Sequence, residues 1–195
     1  MKNVLLLGDS IRQHYKAAVA EKLGSEYSVY GPEENCRFAA YTLNSLRNWL
    51  PSYPNPDIIH WNCGLWDTAI IYQEDGCFTP VSEYVRNMLR ILRELKKTGA
   101  VIIFATTTPC RDEKALFPGP EPTANRNEDI EAYNRAVLDA FRDEKLIIND
   151  LYSAIYEQRD KLILDDMIHP NEAGVATLAD QVVSVIRACS EKESA

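Results

Sequence analysis

The 195-residue sequence has no apolar run long enough to cross a bilayer, and its short N-terminal apolar run is interrupted by Gly8 and Asp9. It also has no basic run dense enough to follow a phosphate backbone, because 29 acidic residues outnumber 21 basic ones and the net charge is -8. We therefore expect a cytoplasmic protein that binds neither membranes nor nucleic acid. The oligomeric state is left open.

Paired cysteines and nucleotide-binding motifs are missing as well. The five cysteines are odd in number and show no C-x-x-C pair or metal-ligand spacing, so we expect reduced thiols rather than a disulfide framework. Neither G-x-G-x-x-G nor G-x-x-x-x-G-K-[ST] is present, and the serine near the N-terminus lacks the second glycine of the α/β-hydrolase motif G-x-S-x-G. We expect no cofactor and no metal.

What the sequence does contain is an alternation of short apolar segments with amphipathic helical patterns. Five of these segments are predicted strands, which end at Leu7, Tyr30, Trp61, Ala105 and Ile148. The alternation predicts one α/β domain over residues 1–189, followed by a polar tail at 190–195. We expect a three-layer, flavodoxin-like fold with five parallel strands in the order 2-1-3-4-5. Residues 110–126, which are rich in proline, are predicted to form a long loop.

The first predicted strand ends in Gly8-Asp9-Ser10, directly before a helical pattern. In an open α/β sheet this turn lies at the edge where ligands bind, and the free N–H groups of the next helix favour negative charge. Ser10 is therefore a candidate nucleophile. Asp and Ser are also frequent N-caps, so a purely capping role is the alternative.

A candidate base lies near the other end of the chain, in Asp166-Met167-Ile168-His169-Pro170. This spacing lets the carboxylate bond one imidazole nitrogen and leaves the other nitrogen to accept a serine proton. Pro170 holds His169 in extended backbone and thus outside the following helix. Asp165 is a second candidate partner, and a structural hydrogen bond is the alternative to a catalytic pair.

These motifs, together with the polar turn between Asn62 and Asp67, resemble those of the SGNH (GDSL-type) hydrolase family. The resemblance implies that Ser10 is the nucleophile, that His169 is the general base and acid, and that Asp166 orients His169. It implies a serine esterase that cleaves small acyl esters, acetyl esters first, through an acyl-enzyme. The expected partner is a small-molecule ester, for example an acetylated carbohydrate.

In this family the oxyanion hole combines the serine N–H, the N–H of a second-block glycine and a third-block asparagine side chain. The usual third block Gly-x-Asn-Asp is replaced here by Gly64-Leu65-Trp66-Asp67, so Asn62 is predicted to supply the carboxamide. Closing its own turn is the alternative role for Asn62. The second-block glycine has no clear counterpart, and the N–H groups of Gly31 and Arg37 are both candidates.

Three further residues are candidate substrate contacts, and two histidines are not candidates for catalysis. Asp9, Trp66 and Asp67 are predicted to bind substrate, whereas His14 and His60 are interpreted as structural.

Other functions remain open alongside the esterase. One is a non-hydrolytic module that binds a carbohydrate or another ligand on the same scaffold. A lysophospholipase or thioesterase is the alternative within the hydrolase class. A third is a metal phosphohydrolase, whose ligands would be Asp9, Asp67, Asp166 and His169.

Overall fold

The computed structural model describes residues 1–71, 76–111, 115–117 and 123–192. The strands in these ranges are β1 (Lys2–Leu7), β2 (Tyr27–Tyr30), β3 (Ile58–Trp61), β4 (Val101–Ala105), β5 (Ala115–Phe117), β6 (Thr123–Asn125) and β7 (Ile147–Asn149). Five of them form a parallel sheet in the order β2-β1-β3-β4-β7. Numbered within this sheet alone, the order is 2-1-3-4-5, which confirms the predicted flavodoxin-like topology.

Helices cover both faces of the sheet. Those described are α1 (Ser10–Leu23), α2 (Ala39–Ser52), α3 (Val81–Lys96), α4 (Asn127–Ala140), α5 (Leu151–Tyr156), α6 (Arg159–Leu162) and α7 (Glu172–Lys192). The helices α1 and α7 pack together, whereas α3 packs against both α2 and α4. In the described part of the chain, no helix is both long enough and apolar enough to span a membrane.

The core is built on the two-residue period of the buried strands. In β1, Val4 and Leu6 belong to the cluster that also contains residues of α1 and α7. Leu5 and Leu7 belong to the cluster formed with α2 and α3 on the opposite face. All four side chains are fully buried, so β1 is held between two apolar layers and fixes the position of the turn that follows it.

Two segments differ from the predictions. The predicted loop 110–126 contains the antiparallel pair β5–β6, and the turn after β3 pairs with it through a bridge between Ile70 and Ala124. Three prolines between these short strands mask their β pattern in the sequence. The predicted polar tail begins at residue 190, whereas α7 extends through Lys192, and residues 193–195 lie outside the described ranges.

Candidate active site

The turn after β1 presents Ser10 as the first residue of α1. Asp9 is the N-cap of this helix, since its Oδ1 accepts the N–H of Ile11 at 3.0 Å. The Asp9 side chain is fully buried, and burial raises its pKa against the opposing effects of the Ile11 N–H and the Arg12 guanidinium. Asp9 thus caps α1 from a buried position, and its contact with substrate stays a prediction.

Arg12 ties this turn to the loop that follows β2. Its buried guanidinium donates to the carbonyl oxygen of Pro32 at 2.8 Å and to that of Glu34, also at 2.8 Å. It also donates to the carbonyl of Gly8 at 3.3 Å, so one side chain joins the turn after β1 to the loop after β2. Sequence reasoning missed this residue, although it falls on the buried side of α1 next to Ile11 and Tyr15.

The Asp166 to His169 segment is a tight loop held at both ends. Ile163 and Pro170 form an antiparallel bridge, and the Leu164 N–H donates to the His169 carbonyl at 2.8 Å. Asp166 Oδ1 accepts the N–H groups of Ile168 at 3.0 Å and His169 at 2.9 Å. These backbone contacts hold the Asp166 carboxylate and the main chain of His169 in place.

The structure brings Ser10, His169 and Asp166 into one hydrogen-bonded chain. Ser10 Oγ lies 2.8 Å from His169 Nε2, and His169 Nδ1 lies 2.7 Å from Asp166 Oδ2. The alternative partner Asp165 is almost fully exposed and pairs with Arg111 at 2.7 Å instead. The geometry is that of a nucleophile, a base and a carboxylate that orients the base.

The electrostatics of Asp166 agree with this arrangement. Burial by itself would raise its pKa, but the N–H groups of Ile168 and His169 and the His169 ring outweigh burial and lower the pKa. Asp166 is therefore ionised at neutral pH. An ionised carboxylate accepts the Nδ1–H of His169 and leaves Nε2 as the acceptor for the serine hydroxyl.

Asn62 lies directly beside the nucleophile turn. Its N–H donates to the carbonyl of Leu7 at 3.1 Å, and its side chain is 3% exposed. A Cβ atom on Gly8 would come within 2.0 Å of Asn62 Oδ1, so only glycine at position 8 permits this approach. The carboxamide is thus held against the residue that precedes Asp9 and Ser10.

The two backbone N–H groups considered for the second block are placed differently. Gly31 packs on the backbone of β1, where a Cβ atom would meet the Leu6 carbonyl oxygen at 2.2 Å. Arg37 adopts φ 53°, and its N–H donates to Asn35 Oδ1 at 2.7 Å. Neither residue is among the described residues that line the cavity beside Ser10, whereas Asn35 is. Asn35, which sequence reasoning did not single out, is thus a further candidate from this loop, and the roles of Gly31 and Arg37 stay predictions.

Asp67 also caps a helix, and its predicted contact with substrate stays a prediction. Its carboxylate is fully buried and accepts the N–H of Ala39 at 3.0 and 3.2 Å, at the start of α2. Burial raises the pKa of Asp67 to about 6. Among the residues that the structure describes, no three His, Cys, Asp or Glu side chains are grouped as metal ligands would be, and these residues include Asp9, Asp67, Asp166 and His169.

A cavity of about 460 Å³ opens beside Ser10 and His169. Its described walls are mainly apolar. Besides Ser10 and His169, they are formed by Asn35, Leu65, Trp66, Ala69, Ile71 and Ile168. Trp66 is 42% exposed, so its indole forms part of the cavity rim and is open to solvent. Residues 72–75 lie outside the described ranges.

The two histidines interpreted as structural differ in their surroundings. His60 is buried in β3, where Asn149 Nδ2 donates to its Nε2 at 3.0 Å and burial lowers its pKa to about 4. His14 instead contacts the candidate base: the ring centroids of His14 and His169 are 5.0 Å apart and the rings are inclined by 30°. The spacing of four residues between Ser10 and His14 is the signal that could have revealed this contact.

The sequence pattern of the GDSL-like lipase/acylhydrolase family matches residues 6–177. The chain belongs to this family. As a GDSL-like acylhydrolase it falls within a class of hydrolases that act on esters. Curated proteins gave no match to its sequence.

Solved structures show the same fold for this GDSL-like acylhydrolase. An acetyl xylan esterase, AlAXEase, is 18% identical and superposes with a TM-score of 0.76 over 94% of this chain and 99% of its own. A lipase/acylhydrolase from Enterococcus faecalis is 18% identical, with a TM-score of 0.77 over 96% of each chain. Axe2, an acetylxylan esterase from Geobacillus stearothermophilus, is 16% identical, with a TM-score of 0.72 over 95% and 94%.

Proposed function

We propose that this chain is a serine esterase in which Ser10 forms the acyl-enzyme. The observation that carries the proposal is the chain of short contacts from Ser10 Oγ to His169 Nε2 and from His169 Nδ1 to Asp166, at the mouth of an apolar cavity. His169 accepts the hydroxyl proton as Ser10 Oγ attacks the ester carbonyl. It then gives that proton to the departing alcohol, and the acyl group remains on Ser10.

Deacylation reverses these roles. His169 removes a proton from water, hydroxide adds to the acyl carbonyl, and the proton returns to Ser10 Oγ as the acid leaves. Asp166 keeps its charge throughout and stabilises the imidazolium that forms in both steps. Both halves of the reaction therefore use the same base and the same oriented carboxylate.

The negative charge on the carbonyl oxygen needs hydrogen-bond donors. The Ser10 N–H belongs to the first turn of α1, where backbone N–H groups lack helical partners. Asn62 is held beside Gly8, and Asn35 lines the cavity with its oxygen bound to the Arg37 N–H, which leaves the amide nitrogen of Asn35 to donate. From these positions we assign the oxyanion hole to Ser10, Asn62 and Asn35. Each such donor lowers the activation barrier by about 2.7–4 kcal/mol.

The cavity supports uncharged acyl groups as substrates. Its described apolar walls exclude a charged acyl group but accept acetyl and longer chains. The indole of Trp66 gives an exposed apolar surface for the leaving group, and the fold shared with acetyl xylan esterases favours an acetylated carbohydrate. We therefore propose activity on acetyl esters, with butyryl esters also cleaved.

Hydrolysis of p-nitrophenyl acetate, butyrate and octanoate tests this proposal. The variant Ser10→Ala should lose at least about 10³-fold in kcat with each ester, because the nucleophile is gone. Ser25→Ala, which changes an exposed serine of the turn after α1, should match the wild type. Equal turnover in wild type and Ser10→Ala would overturn the proposal. No turnover by folded wild type on these esters, acetylated xylan, a lysophospholipid or an acyl-CoA would favour the binding module.

A further inference from the structure

The helix that carries Ser10 also carries the residue that covers the face of His169. Residues four apart in an α-helix lie on the same side, so Ser10 and His14 are neighbours on the surface of α1. The imidazole of His169 reaches both of them: its Nε2 lies 2.8 Å from Ser10 Oγ, and its ring centroid lies 5.0 Å from that of His14.

These contacts constrain different motions of the His169 ring. The bonds to Asp166 and Ser10 lie at the two nitrogens, so they fix the ring along the line that joins them. The ring is attached to the chain at Cγ, so its plane turns about the Cβ–Cγ bond, and such a turn would carry Nε2 away from Ser10 Oγ. The His14 ring, inclined by only 30° to the His169 ring, packs against its face and limits this rotation.

We propose that His14 is a positioning residue that fixes the plane of the His169 imidazole for proton transfer with Ser10. The inference rests on the proposed esterase function and adds a residue that the family motif does not include. His14 itself takes no proton in the reaction. Burial lowers the pKa of His14, and the neighbouring His169 lowers it further against the opposing effect of Asp166, so His14 is neutral at pH 7 and does not repel the imidazolium.

The proposal predicts a specific kinetic signature. In His14→Ala the base is less well aligned, so kcat for p-nitrophenyl acetate should fall about tenfold, with KM within about twofold of wild type. His14→Phe keeps a flat ring without a titratable nitrogen and should restore kcat to within about threefold of wild type. Glu21→Ala alters an exposed residue farther along α1 and should leave both constants unchanged.

The labelling rate of Ser10 by a fluorophosphonate gives a second readout, because it depends on activation of the hydroxyl by His169 and not on ester binding. It should fall in His14→Ala in proportion to kcat and recover in His14→Phe. Wild-type kcat and labelling rate in His14→Ala would overturn the inference, as would an equal loss in His14→Phe or a change confined to KM. If the folded wild type fails to label at Ser10, the proposed function itself fails, which separates the two results.

Discussion

Replacing Asp166 with asparagine separates the orientation of the base from the presence of the base. In Asp166→Asn the side-chain oxygen can still accept the N–H groups of Ile168 and His169, now at 3.0 and 2.9 Å from Asp166 Oδ1. The amide NH₂ then faces His169 Nδ1 in place of the carboxylate oxygen at 2.7 Å. A donor in that position selects the imidazole tautomer that carries its proton on Nε2.

That tautomer cannot accept the Ser10 proton. We therefore expect kcat to fall by about 10⁴-fold, equivalent to about 5.5 kcal/mol in the barrier. KM should change little, because Asp166 does not line the cavity. The assay is hydrolysis of p-nitrophenyl acetate at pH 7.5, with circular dichroism to confirm that the variant is folded.

The adjacent carboxylate provides the matched control. Asp165 differs by one position, is almost fully exposed and pairs with Arg111, so Asp165→Asn should retain wild-type kcat. The role of Asp166 is refuted if Asp166→Asn keeps kcat within tenfold of the wild type, or if Asp165→Asn loses as much activity as Asp166→Asn.

Two further predictions concern the residues that hold the site together. Gly8→Ala places a Cβ atom 2.0 Å from Asn62 Oδ1 and 2.8 Å from Arg12 Cβ, so Asn62 must move and kcat/KM should fall about 10²-fold while the protein still folds. The pKa of the Asp67 carboxyl is about 6 in the folded state and 3.8 in the unfolded state. Its contribution to stability is thus present below pH 3.8 and is lost as the pH rises to 6, by about 3 kcal/mol. Urea unfolding should show that Asp67→Asn lacks this fall.

The contrary results are equally specific. Unchanged kcat/KM in Gly8→Ala would show that Asn62 does not take part in the reaction. The same pH dependence of the unfolding free energy in wild type and Asp67→Asn would show that the buried carboxyl is not the source of the fall.

The fold was predictable because its signals are local and repeated. The apolar runs around β1 and β4 and the helical spacing after each strand point to one parallel sheet, and the observed order agrees. The hairpin β5–β6 was not predictable in this way, because its strands are three residues each and β6 pairs with Ile70, which is distant in sequence.

The site was predictable where a residue's role follows from its neighbours along the chain. The spacing of Asp166 and His169 already permits their hydrogen bond. Their position on a loop before a helix leaves the second nitrogen of the His169 ring facing outward. Asp9 and Asp67 show the limit of this reasoning. A carboxylate in a polar turn can face the ligand or the helix that follows, and only the packing shows that both face a helix N-terminus.

The remaining site residues depend on contacts between distant segments. Arg12 bonds carbonyl groups about 20 residues away, and Asn35 reaches the cavity only because the loop after β2 folds back over the turn after β1. No local pattern marks either contact. The ring contact of His14 is intermediate, because its helical spacing from Ser10 is visible in the sequence but the position of His169 is not.

The most direct test of the account is whether Ser10 is the group that becomes covalently modified. Wild-type protein treated with a fluorophosphonate should gain the mass of one phosphonyl group, and peptide mapping should place it on Ser10, while Ser10→Ala gains none. Absence of the adduct in folded wild-type protein, or an adduct on another residue, would contradict the assignment of Ser10 as the nucleophile.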